Sequence, residues 1–154
     1  MPKPSTEWLR DDIAAYRVMG MTRIISLLTG EEVRELGLAA EAEFCRNEGM
    51  NFLQHPIPDR GLPDGQAFTA LARTTFNDLI AGSAIGIHCR GGIGRSGMLA
   101  CCVLMLYGLT ADDAIDLVSR ARHVAEPDTE EQTAFIRSFT PDASGPRSRV
   151  LNAD

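Results

Sequence analysis

A cysteine and an arginine separated by five residues, three of them glycine, are the side chains in this sequence best placed to do chemistry. They bound Cys89-Arg90-Gly91-Gly92-Ile93-Gly94-Arg95, with His88 before and Ser96-Gly97 after. Glycines admit positive φ and let a backbone approach a ligand with no Cβ in the way. Successive N–H groups can then converge on a tetrahedral oxyanion, and a following helix adds its N-terminal donors. The same field favours the thiolate of Cys89, a nucleophile at neutral pH. Arg95 can reach back as a planar fork onto two phosphate oxygens. The pattern implies phosphoryl transfer to sulfur.

Three other loop chemistries share parts of the pattern. Gly92-Ile93-Gly94-Arg95-Ser96-Gly97 matches G-x-G-x-x-G, but a dinucleotide site needs a following strand with an acidic residue about 20 positions on. Here the downstream sequence reads as helix after helix, with Asp112 and Asp113 at a helix start. A phosphate loop for nucleoside triphosphates needs lysine where Arg95 stands. The sulfur-transfer loop of rhodanese-like domains is similar, yet typically holds one residue fewer between cysteine and arginine. A merely buried Cys89 leaves Arg95 and the glycines without a role.

The elements around the loop are legible. Ala84-Ile85-Gly86-Ile87 reads as a short buried central strand leading in, and Gly97 to Leu106 as a buried helix leading out. Upstream, Thr6 can cap a helix from Glu7 to about Met19, with Trp8, Ile13, Tyr16 and Val18 as apolar positions. Arg23 to Leu28 reads as a strand. Thr29-Gly30-Glu31-Glu32 has capping-box form and opens a helix through about Asn47, stopped by Gly49. Asn51 to Ile57 reads as a second strand, and Asp59 to Gly65 as a turn-rich loop. A helix spans about Gln66 to Ala81. Thr110 and Thr129 cap two more helices, the first with Ile115, Leu117, Val118 and Ala121 inward and the second ending near Phe139. Strands alternating with helices imply an α/β fold, a central mostly parallel sheet flanked by helices, with the loop at the carboxyl end of a strand.

The 154 residues read as one domain over 1–140 followed by a disordered tail over 141–154. With 15 basic and 21 acidic residues the net charge is -6, and no basic tract supports nucleic-acid binding. The longest apolar run, Met98 to Leu106, is too short to span a bilayer, and the first residues lack a signal-peptide layout. Cysteines at 45, 89, 101 and 102 show neither disulfide nor zinc spacing. A monomer in a reducing cytoplasm, with no metal and no cofactor, is the expectation.

His88-Cys89, five residues, then Arg95-Ser96 resembles the active-site loop of the cysteine-dependent protein tyrosine phosphatase superfamily. Pro56-Ile57-Pro58-Asp59-Arg60-Gly61-Leu62-Pro63-Asp64 upstream, and Gln132 with Phe135 downstream, are similar to its small dual-specificity-like branch. The resemblance runs from about Glu7 to Phe139. It implies a protein tyrosine phosphatase-like fold, with fewer strands than relatives that carry extra ones before the first helix. It also implies a shallow cleft that admits phosphoserine and phosphothreonine beside phosphotyrosine, on a phosphorylated protein substrate. Asp59 matches the family's general acid, with Asp64 as the fallback. Ser96 is implied as a donor to the Cys89 sulfur, and His88 as a hydrogen-bonding support of the loop. Gln132 either orients the hydrolytic water or serves only the helix cap. The backbone of Arg90, Gly91, Gly92, Ile93 and Gly94 would bind the phosphoryl oxygens. The same machinery could act on phosphoinositides or small phosphate esters, or, without turnover, serve a phosphate-binding adaptor.

Overall fold

The computed structural model describes residues 1–125 and 127–141, so the tail expected beyond 141 lies outside the described residues. Three strands form one parallel sheet: β1 (Arg23–Ser26), β2 (Asn51–Gln54) and β3 (Ile85–His88), in the order β2-β1-β3. Seven helices accompany it among the described residues: α1 (Leu9–Val18), α2 (Gly30–Glu35), α3 (Glu41–Asn47), α4 (Gly65–Ile80), α5 (Gly94–Leu106), α6 (Ala111–Arg122) and α7 (Glu130–Ser138). Successive side chains on a strand point to opposite faces. Ile24 therefore enters a core with Leu9, Ile13, Leu38 and Cys45, while Ile25 enters the other with Phe68, Met98, Leu99 and Ile136. Helices α1 and α3 pack on one side of the sheet, and α4 to α7 gather about α5 on the other. Along α5 nearly every residue is buried, as its uniformly apolar sequence requires.

Four expectations need correcting. The strand before the loop is an edge of the sheet, and β1 is the centre. The Met1 ammonium donates to the Ile87 carbonyl at 2.7 Å, which satisfies part of that edge. The single helix expected from Thr29 to Asn47 is two. After α2, Gly37 takes φ +64, its N–H donates to the Arg34 carbonyl, and the Leu38 N–H donates to the Val33 carbonyl at 2.9 Å. That is a Schellman stop, and it lets Leu38 turn into the core. Gly49, with φ +70, ends α3 in the same way. Thr6 caps no helix; its hydroxyl donates to the Leu36 carbonyl, and α1 starts later. Finally, Trp8 and Val18 are exposed and Leu9 with Ile13 anchor α1, while on α6 Leu117 and Ala121 face solvent and Ala114 with Val118 carry the packing. In both helices the buried pair is spaced i, i+4, a narrower stripe than the apolar residues suggest.

Candidate active site

The loop leaves the carboxyl end of β3 at His88 and closes into the first turn of α5 at Gly94 and Arg95. Cys89 is buried at its floor. The Gly92 N–H donates to Sγ at 3.2 Å, and the Ser96 hydroxyl lies 3.5 Å from the same sulfur. Gly92 has φ +71, and a Cβ there would collide with the Met1 carbonyl, so only glycine fits. Ile93 itself offers no capping side chain to α5, so the remaining first-turn amides keep the positive end of its dipole at the loop. The Arg122 guanidinium, from α6, donates to the Gly92 carbonyl at 2.8 Å and braces the loop from behind.

Arg95 is only 2 % exposed, so its charge must be matched locally. Both Glu32 oxygens accept from it, at 2.7 and 2.9 Å, in the parallel two-bond geometry that suits a guanidinium. The Ile57 carbonyl accepts at 2.9 Å and Asp59 Oδ1 at 2.8 Å. Glu32 is held in turn by its capping box: its Oε2 accepts the Thr29 N–H, and the Thr29 hydroxyl oxygen accepts the Glu32 N–H. Burial pushes the Glu32 carboxyl up, but the hydrogen bonds from Arg95 and Thr29 outweigh it and leave it below the usual carboxylate range. For Arg95 burial pulls down, and Glu32, Cys89 and Asp59 together push it above the ordinary arginine value. It stays a cation.

His88 is fully buried, and its Nε2 lies 2.9 Å from Glu41 Oε1. A carboxylate can only accept, so Nε2 carries the hydrogen. Glu41 is the first residue of α3, where a helix N-terminus stabilises negative charge. The break at Gly37 is what allows α2 to present Glu32 and α3 to present Glu41 to two different parts of one loop.

Asp59 and Asp64 separate cleanly. Asp59 reaches Arg95, whereas Asp64 is the N-cap of α4 and accepts the Ala67 N–H at 2.9 Å. Arg60 follows Asp59 in the left-handed region, at φ +56, and turns the chain sharply. Gln132 is fully buried, and its Nε2 donates to the Gly61 carbonyl at 3.1 Å, tying this turn to α7. Arg90 points its fork at Glu35 on the surface, at 3.1 and 2.7 Å, while Gly91 faces open space. Asp128 Oδ2 accepts the Gly94 N–H at 3.1 Å. Glu32, Glu41, Arg122 and Asp128 are site residues that sequence reasoning missed. Only Glu32 left a signal, its place in the capping box. Burial pushes the Cys45 and Cys102 thiols up to about 12, which makes both poor nucleophiles.

Residues 2–147 match the family described as PTP-SAK, Swiss Army Knife protein, DSP-PTPase phosphatase domain. Protein tyrosine phosphatase domain-containing protein 1 of Bos taurus is 29% identical over 154 residues, 91% of this chain and 19% of that protein. Cyclin-dependent kinase inhibitor 3 of Rattus norvegicus is 24% identical over 133 residues, 85% of this chain and 63% of that one. The chain thus spans less than two thirds of either curated relative. Among solved structures, kinase associated phosphatase with its catalytic-site cysteine changed to serine has a similar fold, with TM-score 0.77, 23% identity, and coverage of 82% of this chain and 72% of that one. Tk-PTP in its active form gives TM-score 0.73 at 25% identity, covering 88% and 86%. No helix among the described residues is long and apolar enough to cross a membrane. A three-stranded parallel sheet with this loop, this match and these structural neighbours makes the chain a member of the PTP-SAK family of DSP-PTPase phosphatase domains.

Proposed function

We propose that this domain hydrolyses phosphate monoesters on proteins, phosphotyrosine and also phosphoserine or phosphothreonine, through a cysteinyl-phosphate intermediate. The observation that carries the reading is the buried Arg95 fork, pinned by Glu32 beside Cys89. Four of the five guanidinium N–H bonds are engaged, by Glu32, Ile57 and Asp59. An entering phosphoryl group takes Nε and displaces Asp59 from Nη2. Released at the solvent-exposed rim, Asp59 takes a proton from solvent and passes it to the leaving oxygen while Cys89 attacks phosphorus in line. Loop amides and Arg95 hold the equatorial oxygens, each preorganised donor contributing about 2.7–4 kcal/mol to the transition state. Ser96, within hydrogen-bonding reach of the sulfur, stabilises the thiolate when it departs in the second step. His88, anchored on Glu41, fixes the start of the loop.

The names of the relatives, a kinase associated phosphatase and proteins called tyrosine phosphatases, support a protein substrate. The fold also occurs in PTPMT1, solved in complex with PI(5)P, at 14% identity. Against a polyanionic lipid headgroup, Arg90 is already neutralised by Glu35, and Asp128 adds negative charge at the loop. Hydrolysis of an aryl phosphate by the wild type, abolished in Cys89→Ser, tests catalysis against the adaptor reading. A matched panel of phosphopeptides and a phosphoinositide tests the substrate class: faster turnover of the lipid headgroup would overturn the protein assignment.

A further inference from the structure

Two glutamates of one short helix hold two arginines of one loop, in different ways. Glu32 and Glu35 lie at i and i+3 on α2, so they share a face. Glu32 takes Arg95 inside the protein, where the two side chains are 8 % and 2 % exposed. Glu35 takes Arg90 at the surface, where the two are 56 % and 41 % exposed. The second pair is still a full fork: Arg90 Nη2 donates to Glu35 Oε1 at 2.7 Å, and Nη1 donates to Oε2 at 3.1 Å. A buried pair cannot exchange a partner without leaving a charge unpaired. An exposed one can, because water and other ions compete for both ends. Arg90 follows the nucleophile directly. Beyond Glu35 its charge feels Glu32 and Asp59, the two carboxylates that touch Arg95. Its guanidinium therefore stands at the mouth of the cleft. Gly91 beside it faces open space, which leaves room for a substrate side chain.

We infer that Glu35 is a specificity-determining residue: it occupies Arg90 and so withholds that cation from acidic side chains flanking the phosphorylated residue of a peptide substrate. The inference rests on the proposed protein phosphatase reading and deepens it. The Glu35 carboxylate itself shows what the Arg90 fork accepts, a planar pair of oxygens. A substrate glutamate that reached Arg90 would have to exchange with Glu35, gaining two hydrogen bonds only as two are lost. The displaced carboxylate would stay close to the incoming one, and Asp59 adds a further negative charge to the same neighbourhood. Like charges so placed repel, and repulsion of the wrong partner contributes to selectivity as attraction of the right one does. Glu35 thus tunes the cleft toward peptides whose phosphoresidue has neutral neighbours, without touching the phosphoryl group. Glutamine in its place keeps the length and shape of the side chain, loosens the hold on the fork and frees Arg90 for the substrate.

Two phosphotyrosine peptides that differ only beside the phosphotyrosine, with glutamate on both sides or glutamine on both sides, test this through the ratio of their kcat/KM values. In the wild type that ratio, glutamate over glutamine, should lie at or below one. Glu35→Gln should raise it about fivefold, the size of one exposed ion pair gained. The same change made on an Arg90→Gln background should leave the ratio within about twofold of that background, because the cation it would release is gone. A purely structural role for Glu35 would move both peptides together and leave the ratio alone. A ratio unmoved by Glu35→Gln would therefore overturn the inference while leaving the phosphatase reading intact. So would an equal rise with Arg90 absent, which would make charge removal alone the cause, and so would a wild type that favours the glutamate peptide. A wild type that hydrolyses neither peptide nor para-nitrophenyl phosphate would instead remove the phosphatase reading, and the inference with it.

Discussion

Glu32 and Arg95 lie 63 residues apart in sequence and meet through two parallel hydrogen bonds of 2.7 and 2.9 Å, both side chains almost wholly buried. One carboxylate thus serves two ends at once. Its Oε2 completes the cap of α2 through the Thr29 N–H while it aligns the guanidinium. Helix start and oxyanion site share a single residue.

Removing that residue should therefore cost both stability and activity. Glu32→Gln leaves a buried guanidinium with a neutral partner, so we expect a loss of about 3 kcal/mol in denaturant unfolding at pH 7. Because the folded-state carboxyl is held below its ordinary 4.5, its contribution is complete above that value and disappears as pH falls through the lowered one. The stability gap between wild type and variant should close toward pH 2. A gap independent of pH would show that the ion pair is not its source.

Arg95→Lys keeps the charge and loses the fork. One ammonium cannot span both Glu32 oxygens and still reach a phosphoryl group. We expect aryl phosphatase kcat to drop by about 100-fold or more, with the fold preserved by circular dichroism. Activity within tenfold of wild type would mean that charge alone suffices.

Asp59→Asn should respond to the leaving group. A good leaving group such as nitrophenolate departs with little help, whereas an alkyl phosphate needs the proton. The expected loss is about 100-fold or more on phosphoserine peptides and much smaller on para-nitrophenyl phosphate. Equal losses on both would take the general-acid role away from this residue.

Glu41 anchors a histidine that no water reaches. Glu41→Ala leaves His88 without its acceptor inside the core, and we expect destabilisation of about 3 kcal/mol. Glu41→Gln, which keeps an oxygen in place, should retain most of the stability. Identical melting of the two variants would show that packing, rather than the hydrogen bond, is what Glu41 supplies.

Much of this site could be read from sequence because it is local. The Cys89–Arg95 loop carries its own geometry in glycines, and Thr29, Thr110 and Thr129 announce helix starts through bonds only three residues long. What escaped reading is long-range. Glu32 looks like an ordinary capping glutamate until Arg95 is brought to it. Glu41 resembles any acidic residue of a surface helix, and Asp128 any turn former, because nothing near them in the chain names their partners. The helix from 30 to 47 read as continuous because Gly37 is flanked by good helix formers, and burial of Leu38 prevailed over that propensity. Trp8 and Val18 illustrate the converse, since apolar character alone does not say which face of a helix meets the core.

The left-handed turn at Gly37 makes the spacing between two helices a matter of angle as much as of distance. Each residue added to a helix turns its face by about 100°, so one extra alanine in the first turn of α3 would swing the carboxylate at its start away from the imidazole it steadies. Substitutions between Leu38 and Ala40 that preserve burial leave that bearing alone, whereas insertions and deletions do not. The connector behaves as a spacer whose length is constrained by the imidazole that Glu41 must reach.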